Sequence, residues 1–552
     1  MSRQQPQPPT VAVIGLGAQG LVTVKNLLEQ GFDVTGFDRN DYVGGIWHYS
    51  AEHHISALPT TVVNVSRERA SFTDFAFAPG TDSYPSSAQI DKYLNDYADA
   101  FNLRPHLQLS TKIHAMERDD GQCCWHVTIA GSTSSELEKR RFDKVVIATG
   151  PHNKPVMPEL PNLEAFKGEV VHAIAFKEPK HFQGKRVLVV GVSNSAADTA
   201  TSLVSVAAKV YLSHRSGSII LPRFLKDGES LDHGLSYRRF QLSETLDSVA
   251  PRLSMNFMDG FVSKIQQQEF GAFDAQWRLS PSPSLLHHNP TVTDTLVPGL
   301  RAGTITSTHA PRRIAGDRTV ELEDGNIIAV DSIVYCTGYR PDYSIVGTHD
   351  PTLNPSASGG YDEHTARLYQ NIFSLEYPDS LAFVGIAIII FPAFLLSDLS
   401  SMAIAQLWSN KAGTPSLPSH KEMEHWYAEH LAWVDRVRAL SPRRKFRKFT
   451  VRSSQWLPWV TQMAGCDIDD QLGYFTWNSW RLWWRDREFY NLLANGIWSP
   501  HAYRLFNSSR PGGRKKWDGA REAIIRVNED VGAGLEKRKR ERAHDEARIV
   551  AS

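Results

Sequence analysis

The feature that most constrains this chain is a glycine turn set between a strand and a helix near its start. Residues Thr10 to Ile14 form a short apolar run, and Gly15-Leu16-Gly17-Ala18-Gln19-Gly20 follows at once. Leu21, Val24, Leu27 and Leu28 then recur at helical spacing. In such a unit Gly15 makes the tight turn, Gly17 lets backbone come close to a pyrophosphate, and Gly20 packs the helix on the strand. The helix N-terminus offers N-H groups and the positive end of its dipole to an anion. A second apolar run, Asp33 to Phe37, ends in Asp38, about 20 residues beyond the turn, where an acid can bond a ribose hydroxyl. Together these predict a dinucleotide-binding α/β unit.

The pattern returns after Lys185. Arg186 to Val190 reads as a strand, Gly191-Val192-Ser193-Asn194-Ser195-Ala196 as the turn, and the stretch from Ala197 to Val204 as a helix. Ala196 is tolerated at the third glycine position, whereas Ser193 puts a side chain where close backbone approach is wanted. The next strand, Lys209 to Ser213, runs into His214-Arg215-Ser216, so Arg215 holds the slot that Asp38 holds in the first copy. An acid suits a free 2'-hydroxyl, and a guanidinium suits a 2'-phosphate through paired charge-assisted hydrogen bonds. The first copy therefore reads as an FAD site and the second as an NADPH site. Two further apolar strands stop at glycines, Val145 to Ala148 before Thr149-Gly150 and Ser332 to Tyr335 before Cys336-Thr337-Gly338-Tyr339, and they flank the second copy as crossover points. The expected fold is α/β with two dinucleotide-binding, Rossmann-like domains, the NADPH domain inserted in the FAD domain. The boundaries read as an FAD-binding first part at 1–175, an NADPH-binding domain at 176–335, an FAD-binding second part at 336–445, and a mainly helical C-terminal region with a polar tail at 446–552.

Between the two copies stands Phe166-Lys167-Gly168-Glu169-Val170-Val171-His172-Ala173-Ile174-Ala175-Phe176, which resembles the FxGxxxHxxx(Y/F) fingerprint of the flavin-containing monooxygenase family. Six other features agree: the first glycine turn; Gly44-Gly45-Ile46-Trp47; Asn64 in Val63-Asn64-Val65-Ser66; Asp74-Phe75-Ala76-Phe77 before Tyr84-Pro85; Ala148-Thr149-Gly150; and Cys336-Thr337-Gly338-Tyr339. The similarity continues through Phe383-Val384-Gly385, Leu417-Pro418-Ser419 and Tyr503-Arg504-Leu505 to Trp517-Asp518-Gly519-Ala520-Arg521, and so covers nearly the whole chain. Two departures are informative. The related Baeyer-Villiger monooxygenases end the fingerprint in tryptophan followed by proline or aspartate, where this chain has Phe176-Lys177. Membrane-anchored relatives close on a hydrophobic tail, where this chain has Lys537-Arg538-Lys539-Arg540-Glu541-Arg542 and a polar end.

The resemblance implies an NADPH- and O2-dependent flavoprotein that forms a C4a-hydroperoxyflavin and oxygenates a soft nucleophilic nitrogen or sulfur of a small molecule. A ketone-oxygenating Baeyer-Villiger enzyme, or a non-oxygenating NADP-binding pseudoenzyme, is the alternative. The residues expected to hold the two cofactors are Gly15, Gly17, Gly20, Asp38, Gly45, Trp47, Thr149, Gly150, Gly191, Ser193, Asn194, Ser195, Arg215, Thr337 and Gly338. The catalytic residue expected is Asn64, which matches the family's active-site asparagine. An amide donates one hydrogen bond and accepts another without carrying charge. His172 is expected to be structural, hydrogen-bonded at the junction of the two folds.

Composition excludes other classes. At 552 residues the chain exceeds what one core supports, and 41% hydrophobic with 22% charged residues is ordinary for a globular enzyme. Lys plus Arg equals Asp plus Glu at 60 each, which leaves no net field for nucleic acid. Cys123, Cys124, Cys336 and Cys466 form neither a disulfide framework nor a zinc pattern, and the adjacent pair Cys123-Cys124 reads as packing in a strand-like stretch. No metal is expected, and His53-His54 and His287-His288 read as surface residues. Leu381 to Leu396 is shorter than the ~20 residues of a bilayer span and reads as a buried strand plus a cofactor-site turn. With no secretory signal the expectation is a cytoplasmic protein with no stable partner. Trp456, Trp459, Trp477, Trp480, Trp483 and Trp484, with Arg481, Arg485 and Arg487, are expected to form a covering lobe packed on the FAD domain. Peripheral membrane contact is the second reading of this cluster.

Overall fold

A computed structural model describes residues 7–52, 55–131, 136–353, 365–411, 413–440, 447–466, 468–508 and 513–551, with side chains as far as residue 540. The elements of its two large sheets and their main helices follow in chain order. The chain opens on β1 (Thr10–Ile14), α1 (Ala18–Glu29) and β2 (Asp33–Phe37), then adds β3 (Leu107–Gln108) and β4 (Lys144–Ile147). The second unit runs through β5 (Glu169–His172), β6 (Arg186–Val190), α2 (Asn194–Leu203), β7 (Lys209–Ser213), the helices α3 (Tyr237–Val249) and α4 (Pro251–Phe270), β8 (Ile305–Thr308) and β9 (Ser332–Tyr335). The chain then returns through β10 (Leu368–Tyr369), β11 (Phe373–Ser374), β12 (Leu381–Phe383) and α5 (Ala393–Trp408), and ends in a helical region that includes α6 (Trp477–Arg485) and α7 (Ala520–Ala551).

The first sheet has the order β10-β11-β12-β4-β1-β2-β3 and the second the order β8-β7-β6-β9-β5. The central pairings are parallel: Val13 lies between Gly36 and Val146, and Val189 between Leu212 and Val334. Parallel strands covered on both faces need near-continuous apolar runs, which is why these segments are so plain in the sequence. β5 pairs with β9 through Val170 opposite Ile333, so the second sheet begins before residue 176, the boundary the sequence suggested. The apolar centre of the fingerprint, Glu169-Val170-Val171-His172, supplies its edge strand.

α1 is buried on nearly every side, including Thr23, Lys25 and Asn26. It lies against α5, where Asn26 Nδ2 donates to Asp398 Oδ1 and to Ser401 Oγ, each at 2.8 Å. The segment Leu381 to Leu396 is a buried strand as far as Phe383, but Ala393 already opens α5, so the run is not strand and turn alone. Cys124 is buried at the start of a strand, whereas Cys123 is exposed in a turn with φ 51 and contributes no packing. His53 and His54 lie outside the described residues. Among the described residues no helix is long and apolar enough to cross a membrane.

The aromatic cluster divides. Trp456 is buried, but Trp477 and Trp484 on α6 are 81% and 78% exposed and Trp480 is also exposed, so these three do not pack on the first domain. They recur at i, i+3 and i+7 on one helix face, and α6 packs through the other face, which carries the buried Ser479.

A charge cluster joins α1 to the C-terminal region, with Lys25, Arg504 and Arg514 buried and Glu29 partly open to solvent. Arg504 Nη2 donates to Glu29 Oε1 at 2.8 Å, Arg514 Nη1 to Glu29 Oε2 at 2.5 Å, and Lys25 Nζ to the same oxygen at 2.9 Å. Burial pushes the Glu29 carboxyl up, but Arg514, Lys25 and Arg504 outweigh it and hold the group down at about 2. A carboxyl depressed in the folded state gives stability that is complete above its ordinary value and fades as pH falls toward the folded value. Because Glu29 is partly open to solvent, which screens the pairing, Glu29→Gln is expected to cost about 1–2 kcal/mol at pH 7 and far less near pH 3. Thermal melts of both proteins across that range check it, and an equal loss at both ends would remove Glu29 from this role.

Candidate functional site

A cleft of about 720 Å³ has walls from both units. Trp47 and Asn64 come from the first, Gly191, Ser193, Asn194, Ser195, Arg215, Thr337 and Gly338 from the second and its exit, and His152, His172 and Phe176 from the crossing between them. Gly15, Gly17, Gly20, Asp38, Gly45, Thr149 and Gly150 do not line it. They gather instead at the first turn. Gly15 has φ +97, and a Cβ there would stand 2.7 Å from Ala148 O and 3.0 Å from Thr149 Cα, so β1 and β4 end in contact through a residue without a side chain. A Cβ on Gly20 would lie 1.7 Å from Gly15 O, which is why that turn of α1 can close over the loop. Gly17 bridges to Gly44, and a Cβ on Gly45 would reach within 2.9 Å of Gly17 Cα.

Leu16 N-H donates to Asp38 Oδ2 at 2.8 Å and Asn40 N-H to Asp38 Oδ1 at 2.9 Å, so the acid at the end of β2 is oriented by the turn itself. Each oxygen retains acceptor capacity for a hydroxyl. α1 begins at Gly17 with no side-chain cap, which leaves its first N-H groups open to an anion. Gln19 Oε1 is buried and finds no hydrogen-bond partner among the described residues, beside Gly150 and Gly385. An uncapped helix start, an oriented acid and an orphaned amide fit a dinucleotide seated at this turn.

The second turn answers the concern raised by Ser193. α2 also starts without a side-chain cap, and Ser193 Oγ lies 3.3 Å from His288 Nε2, turned aside from the helix N-terminus. Asn194 Oδ1 accepts from Val292 N at 2.9 Å and pins the turn. Arg215, at the end of β7, is exposed on the rim of the cleft and makes no ion pair among the described residues, so its fork is available to an anion. His214 beside it has Nε2 3.0 Å from Ser307 Oγ, and burial holds its ring down at about 4, which keeps it neutral.

His287 and His288 are not surface residues. His287 is buried with Nε2 3.1 Å from Val437 O, and His288 lines the cleft. Their segment is folded back onto the second turn by the pairing of Ile220–Leu221 with Thr291–Val292, a long-range contact that local polarity does not reveal. Asp119, Cys124 and His126 bring ligand-type atoms within 4.8 Å of one another on an outlying hairpin, with Asp119 and His126 paired at 3.5 Å.

His172 sits where the crossing strands meet. Ile174 N-H donates to its Nδ1 at 3.2 Å, so Nε2 carries the proton and donates to Gly338 O at 3.1 Å. Burial lowers its affinity for a second proton. Asn64 is half-buried on the opposite wall, and its Oδ1 accepts from Arg223 Nη2 at 3.3 Å. Asp198, which lines the cleft, and Arg223, which bonds the loop carrying Asn64, are residues that sequence reasoning missed. Asp198 had a signal, since it follows Asn194 by one helical turn and shares its face. Burial raises its carboxyl to about 6, with Arg223 pulling the other way. Cys336 Sγ lies 3.6 Å from Thr199 Oγ1, and burial pushes the thiol up to about 12, so it is no nucleophile.

The family described as Flavin-binding monooxygenase-like matches residues 9–551. Monooxygenase aurF of Gibberella zeae is 42% identical over 95% of this chain and 98% of its own. Flavin-containing monooxygenase 5 of Oryctolagus cuniculus is 27% identical over 94% of this chain and 92% of its own. Among solved structures, S-allyl-L-cysteine S-oxygenase from Allium sativum has the same fold, with a TM-score of 0.60 at 20% identity over 95% of this chain and 99% of that one. The chain belongs to the flavin-binding monooxygenase-like family, and it is a flavin-containing monooxygenase, an oxidoreductase whose cofactors are FAD and NADPH.

Proposed function

We propose that this chain oxygenates a soft nucleophilic nitrogen or sulfur of a small molecule, with FAD held at the first glycine turn and NADPH at the second. The observation that carries this reading is that Asn64 and Trp47 share one cleft with Gly191 to Ser195 and Arg215. When bound, the flavin takes hydride from NADPH and supplies one oxygen atom of O2 in electrophilic form. The protein's part is to bind, orient and keep water out. The open N-terminus of α1 holds the pyrophosphate and Asp38 the ribose hydroxyl, while Arg215 pairs the 2'-phosphate. Ile46, Ile55, Leu58, Val62 and Phe176 give the cleft an apolar wall that limits competing hydrolysis. Asn64, with Oδ1 taken by Arg223, presents Nδ2 as an uncharged donor.

The departure at Phe176-Lys177 supports heteroatom oxygenation over ketone oxygenation. Lys177 Nζ donates to Ser56 Oγ at 2.8 Å and stands 5.9 Å over the Tyr49 ring, so this position ties the crossing to the first unit. NADPH consumption and product formation across amines, thioethers, hydroxylamines and ketones test the reading, and product from ketones alone would overturn it.

Two substitutions separate the roles. Arg215→Ala is expected to weaken NADPH use roughly 10- to 150-fold, the ~1.5–3 kcal/mol of a charge-assisted contact, and to leave NADH use nearly unchanged. Equal losses with both would remove Arg215 from the 2'-phosphate. Asn64→Ala is expected to keep its FAD and its reduction by NADPH but to lose product while H2O2 rises, because the amide acts only on the oxygen-transfer half. Full product yield from this variant would leave Asn64 a turn residue.

The exposed face of α6 supports peripheral contact with an anionic lipid surface, because Arg481 and Arg485 alternate with Trp477, Trp480 and Trp484. Sedimentation with phosphatidylserine vesicles should be salt-sensitive and should weaken in the double variant Trp477→Ala and Trp484→Ala. Equal sedimentation with neutral vesicles, or none with either, would count against it.

A further inference from the structure

We propose that Arg223 is a positioning residue for oxygen transfer: its guanidinium holds the Asn64 amide in the one orientation that turns Nδ2 toward the cleft. The inference rests on the reading of Asn64 given above. The two ends of an amide are nearly identical in shape, so only polar neighbours decide which way it faces. A guanidinium carries donors alone, and the group it faces at 3.3 Å must therefore be Oδ1. Nδ2 has no partner among the described residues and is left to the cleft.

Arg223 is itself held from several sides. Nε donates to Val63 O at 3.0 Å and Nη2 to Val62 O at 2.9 Å, so one fork grips three successive residues of the loop that carries Asn64. Asp294 accepts Arg223 Nη1 at 3.0 Å and Arg223 N-H at 2.8 Å, which fixes the side chain and the backbone together. Tyr84 OH donates to Arg223 O at 2.7 Å. The residue is buried, comes from the second unit, and acts on a loop of the first. It thereby ties the donor proposed for oxygen transfer to the domain proposed to hold NADPH. Lysine could keep the charge beside Asp294, but a single nitrogen on a flexible stem cannot engage three loop oxygens at once.

Arg223→Lys should retain FAD and keep its KM for NADPH within about twofold, while H2O2 formed per product rises roughly tenfold, the lower end of what a charge-assisted contact is worth. In holoenzyme labelled with 15N-asparagine, the side-chain amide signal of Asn64, identified by its loss in Asn64→Ala, should shift. Combined with Asn64→Ala, Arg223→Lys should add no further uncoupling, because both act through one amide. An unmoved amide signal with wild-type coupling in Arg223→Lys, beside an uncoupled Asn64→Ala, would overturn the inference and leave Asn64 standing. Full coupling in Asn64→Ala would sink the reading of Asn64 and the inference with it. Should Arg223→Lys fail to accumulate, Asp294→Asn loosens the fork without removing it. It is expected to show the same changes at smaller size, and wild-type behaviour there would equally overturn the inference.

Discussion

The structure depends most on the burial of α1 with its charges inside. A helix whose N-terminus must stay open to an anion has no cap of its own there, so its position has to be fixed elsewhere along its length. Here the fixing is polar and distant in sequence. Glu29 gathers Lys25, Arg504 and Arg514, Asn26 reaches Asp398 and Ser401, and Arg504 also pairs Asp74 at 3.2 Å. Removing one partner from such a set leaves an uncompensated buried charge, which is why networks of this kind hold one geometry. The C-terminal region is thereby part of the first nucleotide unit and not an appendage to it.

A second set of polar contacts holds the two units together. Lys177 reaches Ser56, Arg69 Nη1 donates to Asp232 O at 3.1 Å, and Ser66 N-H donates to Asp232 Oδ2 at 2.9 Å. His233 pairs with Glu68 at 3.3 Å, both buried. These contacts involve Ser56, Ser66, Glu68 and Arg69, which flank Asn64 in the sequence. Such a seam would suit the uncharged donor proposed at Asn64, whose worth depends on direction more than on attraction.

What the sequence made legible is what depends on local periodicity. β1, β2, β6 and β7 stand at the expected residues because parallel, doubly covered strands are apolar throughout and stop at glycine turns. Asp38 and Arg215 stand just beyond the ends of β2 and β7, the strand-end positions from which their proposed roles are read. His288 was not, because it reaches Ser193 across 95 residues through a two-strand pairing that has no periodic signal. Arg223 lies 159 residues from Asn64, and nothing in Leu221-Pro222-Arg223-Phe224 distinguishes a clamp from a surface arginine. The α6 tryptophans were expected in a covering lobe because aromatic content alone does not say which way a helix face points, and only the packing shows that theirs points outward.

Around the cleft, the ionisable groups of the protein are held in unreactive forms. His172 and His214 are kept neutral by burial, which outweighs the pull of their hydrogen bonds to backbone carbonyls, and burial keeps Cys336 a thiol. Asp198 alone is brought near neutrality, and it faces Arg223, whose fork is already engaged by Asp294 and the loop at 62–64. With these two imidazoles neutral and the cysteine a thiol, the turn presents few acidic protons to the cleft. Arg215 stands exposed at the rim, where a 2'-phosphate could reach it. On the roles proposed for Arg215 and Asn64, division of labour would follow from placement, with charge binding the cofactor at the edge and uncharged hydrogen bonding directing the chemistry within.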